Sequence, residues 1–558
     1  MAQARTQDGT TAGDRVDDTG PDVVVVGAGF TGLYALHRLR QAGLSVVVLD
    51  AAPEIGGTWY WNGYPGARCD VESADYSYSF SPELDQEWEW SERYAAQPEI
   101  LRYINHVADR FRLRPHIRLG VRVTAASFDE DDSTWTLTCD SGETLSARFC
   151  VFATGGLSAP LRPGFPGVDA FRGESYMTSL WPRDGVDLRG KRVAVIGTGS
   201  SGLQVVPEIA DEAAHVTVLQ RTPNYSVLGG NRPLTRDDLR EIRQTYPERR
   251  RAQRTGYTGL SLRANPRRAA EMTEEERRTE LESRWEEGGA LLFTVAFKDV
   301  LTDPEANRVV ADFIRERIRE RTGDPRLADV VCPTDHPFAA RRPCADHGFY
   351  EALSRDDVEL VDVRSDPISQ ITETGIRLAS GADHDVDVIV YALGYDAVTG
   401  AMSRIDIVGR DGVALADAWA AGPDNYLGLG VAGFPNMFMI GGPGSPVAMM
   451  IALGERQADW IATCITELDR RGAASIEATP DAQARWVDHI DELMRRTIYS
   501  QARDTYYFGA NVPGKALRFP LYLGGLAHYE QLCEQSAADG YAGFRVSSPV
   551  SSVGEVAR

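Results

Sequence analysis

Residues 21–50 read PDVVVVGAGFTGLYALHRLRQAGLSVVVLD. A β-branched apolar run leads into Gly27-Ala28-Gly29-Phe30-Thr31-Gly32, a helical stretch follows, and a second apolar run closes on Asp50. This is a parallel βαβ unit, the crossover that joins two strands of one sheet. The three glycines differ in what they allow. Gly27 permits the tight turn, Gly29 lets the backbone approach a pyrophosphate, and Gly32 lets the helix pack closely on the strand. Phe30 and Thr31 open the helix, whose N-terminus favours phosphate charge. Asp50 stands where a carboxylate accepts from ribose hydroxyls.

The same device recurs at residues 190–221, GKRVAVIGTGSSGLQVVPEIADEAAHVTVLQR, around Gly197-Thr198-Gly199-Ser200-Ser201-Gly202. Its second strand ends in Gln220-Arg221-Thr222, with no acid. A guanidinium fork matches the oxygens of a ribose 2′-phosphate, which a carboxylate would repel, so this half selects NADPH over NADH. Two dinucleotide sites on one chain imply a flavin reduced by a nicotinamide. Disulfide reductases share that plan but need a redox-active cysteine pair. Here the cysteines at 69, 139, 150, 332, 344, 464 and 533 are scattered, with no CxxC and no metal-ligand spacing. Electrons therefore leave the flavin for oxygen, a diffusible acceptor or another protein.

The rest of the chain fits around these units. With 558 residues and a formal charge of −22, it is long enough for several compact regions and too acidic for general affinity to nucleic acid or an anionic membrane. No apolar window is long enough for a transmembrane helix. A soluble cytoplasmic protein is expected. Strand-like runs at 148–156 and 386–396 close the two regions. The expected class is α/β: two Rossmann-like domains, for FAD and NADP, with a helical insertion. Residues 1–20 read as a disordered tail, 21–155 with 390–545 as a discontinuous FAD-binding domain, and 156–389 as the NADP-binding domain. Within the last, a helical subdomain spans about 228–335, and 546–558 read as a C-terminal tail. The basic run at 247–254, PERRRAQR, reads as a solvated helical face because its neighbours are acidic.

Residues 56–70, GGTWYWNGYPGARCD, fit the signature [A/G]GxWxxxx[F/Y]P[G/M]xxxD at every fixed position. Residues 171–182, FRGESYMTSLWP, fit FxGxxxHxxxWP except that Met177 replaces the histidine. Together with Ala153-Thr154-Gly155, Ala392-Leu393-Gly394, GFPNMFMIGGPGSP (433–446) and FGANVPGK (508–515), these segments make the chain resemble the Baeyer–Villiger monooxygenases, from about residue 21 to 540. The resemblance implies that NADPH reduces FAD, and that oxygen then adds at flavin C4a to give a peroxide. That peroxide attacks a ketone, and the Criegee adduct rearranges to an ester or lactone. It implies a small-molecule ketone and O2 as partners, no nucleic acid or membrane, and a monomer or weak homo-oligomer.

The same resemblance assigns residues. PFAARRPCADHGFYEAL (337–353) puts Arg342 beside the flavin and Arg341 at the 2′-phosphate, while Asp70 holds Arg342. A guanidinium suits the place beside the flavin because it cannot lose its proton to a peroxide. Gly57, Thr58, Trp59 and Tyr64 join the cofactor contacts, as does Tyr506, which replaces a family tryptophan that reaches towards the nicotinamide cofactor. Ser445, Pro446 and Val447 line the substrate pocket. Met177 and Tyr506 put tight coupling in question and suggest a substrate bulkier than a simple cyclic ketone. His336 and His347 read as structural or surface residues. The competing activities are oxygenation of sulfur or nitrogen, which needs a protonated hydroperoxide and so fits a fixed Arg342 less well, and NADPH oxidase or reductase chemistry serving a partner.

Overall fold

The computed structural model describes residues 20–548; the expected tails fall mostly outside this range. Five parallel strands form the first sheet, in the order Met437–Met439, Phe149–Phe152, Val23–Val26, Val46–Asp50, Ile117–Leu119. Val23–Val26 is buried throughout, as expected for a central strand covered on both faces. The long helix Met450–Arg471 packs against Phe30–Gln41 over this sheet. A second five-stranded parallel sheet runs Val358–Asp362, His215–Gln220, Arg192–Ile196, Val388–Tyr391, Glu174–Met177.

Each glycine turn sits at the C-terminal end of its central strand, where open α/β sheets bind ligands. Gly27 and Gly197 have φ of 113° and 110°, a region that favours glycine. A Cβ on Gly27 would lie 2.5 Å from the Ala153 carbonyl oxygen, and one on Gly197 would lie 2.5 Å from that of Ala392. The two alanine-led linker motifs therefore wall the two turns in the same way.

Three readings change. The strand Phe544–Ser547 pairs with Ser475–Ala478, so residues 546 and 547 belong to a sheet and not to a tail. Residues 228–335 do not form one helical unit. Arg236–Thr255 packs on Pro82–Glu87 and Leu526–Ala538, whereas Pro304–Thr322 packs on Pro325–Val331 and Phe349–Leu353. The basic run at 247–254 is only partly solvated. Arg250 meets the buried Asp85 and Arg249 meets Glu72 and Asp75, and these pairs pin the helix to the region before residue 90. Buried carboxylates supply the reason, because they need cationic partners. No helix among the described residues is long and apolar enough to cross a membrane.

Candidate active site

Backbone pairing fixes the loop that ends in Asp70: Cys69 N–H donates to Ala95 O at 3.1 Å and Gln97 N–H to Ala67 O at 2.8 Å. Asp70 receives a bidentate fork from Arg342, Nε to Oδ2 at 2.6 Å and Nη2 to Oδ1 at 2.7 Å. Asn224 donates to the Arg342 carbonyl at 3.0 Å, and Arg342 N–H donates to Tyr506 Oη at 3.4 Å. The Asp70 charge holds the Arg342 guanidinium well above its ordinary range, against the opposing effect of burial. For Asp70, burial alone would raise the carboxyl; the Arg342 charge and fork reverse this and hold it below its usual value. The Arg342 side chain is 40% exposed and that of Asp70 20%, so the cation remains open to a reactant while its partner sits behind it.

Around the first turn, Gly57 comes so close to Gly29 that a Cβ on Gly57 would lie 3.0 Å from Gly29 Cα. The signature loop and the dinucleotide turn thus meet backbone to backbone, with Thr58 opening the short helix Thr58–Trp61. Trp59 Nε1 donates to Tyr76 Oη at 3.0 Å. The Phe30 ring lies among Tyr76, Tyr78 and Tyr103, so only its backbone is available to a phosphate. Thr31 is buried against Gly454. Asp50 is committed to the loop itself, accepting from Ala28 N–H at 2.6 Å and Ala52 N–H at 2.7 Å. Each oxygen keeps a second lone pair for a ribose hydroxyl.

At the second turn a Cβ on Gly199 would meet nothing within 4 Å, so the helix N-terminus opens into free space. Thr198 donates to Thr222 O at 3.3 Å, and Ser201 accepts from Thr178 of the second signature at 3.3 Å. Ser200 Oγ lies 3.4 Å from Cys344 Sγ, two residues beyond Arg342. Gly202 packs its backbone against Gly197 O. Arg221 is exposed and has no carboxylate partner among the described residues. Arg341 Nη2 donates to the Asp504 carbonyl at 3.4 Å and stands 3.9 Å from its carboxylate, and its buried Nε has no hydrogen-bond partner among the described residues. Burial lowers the Arg341 guanidinium from its usual range, and the nearby Arg221 charge lowers it further, against Asp504 and Asp335. Two guanidiniums close enough to repel, with an open turn beside them, suit an anion. The residues present fit FAD at the first turn and a 2′-phosphorylated nicotinamide nucleotide at the second.

Other expected contacts lie elsewhere. Tyr64 Oη donates to Gln204 Oε1 at 2.7 Å inside the core of the second half. The cause is the turn at Gly66, which lays the loop on the helix Ser200–Ala210; a Cβ at Gly66 would lie 2.3 Å from Gln204 O. Ser445 is 1% exposed, with its hydroxyl accepting from Gln457 and its carbonyl from Tyr522 N–H, and Pro446 is buried beside Tyr522. Of the three pocket residues only Val447 has an open side chain. Met177 ends the edge strand opposite Tyr391, just before the Ala392 linker.

Sequence reasoning missed the clasp on that linker. Asn511 donates to Tyr395 O at 2.8 Å, Lys515 pairs with Asp396, and Tyr395 donates to Asn62 at 2.6 Å. Only FGANVPGK signalled it, and a short polar loop does not name its partner.

Residues 24–257 match the family described as pyridine nucleotide-disulphide oxidoreductase. Among curated relatives, a 2-oxo-Δ3-4,5,5-trimethylcyclopentenylacetyl-CoA monooxygenase of Pseudomonas putida is 41% identical, over 94% of this chain and 98% of that one. A Baeyer–Villiger monooxygenase of Pseudooceanicola batsensis is 40% identical, over 93% and 95%. A solved steroid monooxygenase bound to NADP superposes with a TM-score of 0.90 at 50% identity, covering 95% of this chain and 100% of its own. The fold and the two turns define a two-dinucleotide flavoprotein oxidoreductase. Within that class, the chain belongs to the Baeyer–Villiger monooxygenases. It is an FAD- and NADP-dependent enzyme that inserts oxygen next to a ketone carbonyl.

Proposed function

We propose that Arg342 is the catalytic cation of this reaction and Asp70 its positioning partner. The observation that carries this is the bidentate fork between them, with the guanidinium still open to a reactant. Bound FAD supplies the redox chemistry and the activation of O2. The chain contributes a charge that cannot titrate away, aimed by Asp70 at developing negative oxygen. A permanent cation favours an anionic oxidant and hence carbonyl attack over oxygenation of a soft sulfur or nitrogen. Tyr506, through the Arg342 backbone, keeps the guanidinium in register. Arg221, Thr222 and Arg341 take the 2′-phosphate, and the glycine turns at 27–32 and 197–202 take the two pyrophosphates. In this reading residues 21–155 and 390–547 carry FAD, and 156–389 carry NADP.

The substrate we propose is a bulky, polycyclic ketone, in keeping with the steroid monooxygenase relative and with Tyr506 at a position where the family carries a larger ring. Seven buried, unpaired cysteines support a reducing, cytoplasmic setting. The test is a ketone panel run under oxygen-18 gas. One labelled oxygen in an ester or lactone is the expected result; labelled sulfoxide or N-oxide from competing substrates, with no ester, would reject it.

A further inference from the structure

A third guanidinium reaches the end of the second βαβ unit. Val358–Asp362 runs parallel to His215–Gln220 with Asp362 opposite Gln220, and Val363 N–H donates to Gln220 O at 2.9 Å. Two residues further along both segments, Arg364 stands beside Thr222. Its Nε donates to the Arg221 carbonyl at 3.1 Å and its Nη2 to Thr222 Oγ1 at 3.5 Å. The same Nη2 donates to Asp335, whose other oxygen meets His336 Nδ1 at 2.7 Å. Arg364 is still 48% exposed.

Arg221, Arg341 and Arg364 gather beside Asp335, Asp504 and Asp362: Asp362 Oδ1 accepts from Arg364 N–H at 3.0 Å, and Arg341 Nη2 donates to the Asp504 carbonyl at 3.4 Å and stands 3.9 Å from its carboxylate. Among the described residues the buried His336 Nε2 has no hydrogen-bond partner, and neither has the buried Arg341 Nε. Exposed guanidiniums on Arg221 and Arg364, beside buried donors with no partner, suit a bound anion.

We propose that Arg364 is a specificity-determining residue for the ribose 2′-phosphate of NADP(H), completing the site that Arg221 and Arg341 open. The inference rests on placing that phosphate at those two arginines. A phosphomonoester presents three acceptor oxygens and close to two negative charges, more than one guanidinium fork can cover. Arg364 is already held through the Arg221 carbonyl, Thr222 and Asp335, so binding costs it little side-chain freedom.

The test is calorimetric titration of the FAD-loaded full chain with adenosine 2′,5′-bisphosphate and with AMP, which lacks the 2′-phosphate. Arg364→Ala is expected to weaken the bisphosphate about tenfold or more while leaving AMP within about twofold. The loss is expected to persist in the double variant Arg364→Ala/Asp335→Asn, and Arg364→Lys to restore only part. Full bisphosphate affinity in the double variant would overturn the proposal, since Arg364 would then merely neutralise Asp335. Unchanged binding in Arg364→Ala alongside a loss in Arg221→Ala would overturn it and leave the 2′-phosphate placement standing. Equal binding of both probes by the unmodified protein would reject that placement, and the proposal with it.

Discussion

The guanidinium of Arg342 grips the carboxylate of Asp70 across 272 residues of sequence, through two parallel hydrogen bonds of 2.6 and 2.7 Å. One partner ends the signature loop beside the first glycine turn; the other stands two residues before Cys344, which touches the second. The fork therefore ties the loop beside the first glycine turn to the segment that touches the second.

Removing that cation is expected to abolish ester formation while leaving flavin bound. Arg342→Ala should lower kcat by about 10²–10³-fold, the usual loss when a preorganised electrostatic group is deleted. Lysine should restore only part, because it lacks the planar fork that Asp70 receives. Steady-state product analysis beside the flavin absorbance spectrum checks both halves. Ester formed by the alanine variant at the unmodified rate would end the assignment.

Nucleotide choice is expected to follow Arg221. Arg221→Ala should raise the KM for NADPH about tenfold or more, the worth of a charge-assisted hydrogen bond, and barely move that for NADH. Parallel kinetics with the two nucleotides decide it; an equal change in both would move the phosphate elsewhere.

Acid stability is expected to depend on His37. Its ring packs on Phe80 and Phe111 at 4.8 and 4.9 Å, and burial, helped by Arg38 and Arg40, pushes its pKa down to about 4. The unfolded residue, with a pKa of about 6.5, binds a proton before the folded one does, so stability falls as pH drops from about 6.5 towards 4. His37→Phe keeps the ring contacts and removes the proton. Its melting temperature should pull ahead of the unmodified enzyme as pH goes from 7.5 to 5. Curves that stay parallel would show that His37 is not the group responsible.

Coupling is expected to rest partly on the Tyr506 hydroxyl, which accepts from Arg342 N–H at 3.4 Å. Tyr506→Phe should keep flavin binding and raise hydrogen peroxide released per NADPH consumed, most of all with a small ketone that leaves the pocket unfilled. Histidine at 177 with tryptophan at 506 should lower it, because the larger ring's reach towards the nicotinamide cofactor is expected to more than offset the lost hydroxyl. A peroxide yield that is the same in all three forms would make both positions tolerated variation.

Both βαβ units, the terminal Asp50 and Arg221, and the Arg342–Asp70 pair were legible in the sequence, because each is local or carried by a long signature. What was not legible depends on packing. Tyr64 follows a turn whose direction Gly66 sets, and Ser445 is buried by Tyr522 and Gln457. Arg249 and Arg250 turn inward because Asp75 and Asp85, more than 160 residues away, are buried and need them. No spacing within a segment records a partner that distant.

The Ala153 and Ala392 carbonyls each press on the first glycine of a nucleotide turn, at a distance no Cβ could tolerate. Both alanines also lie where the chain leaves one sheet for the other half. Were the two halves to turn against each other, the linkers that flex would be the same ones that wall the two glycine turns, so one change of posture would reach both turns together.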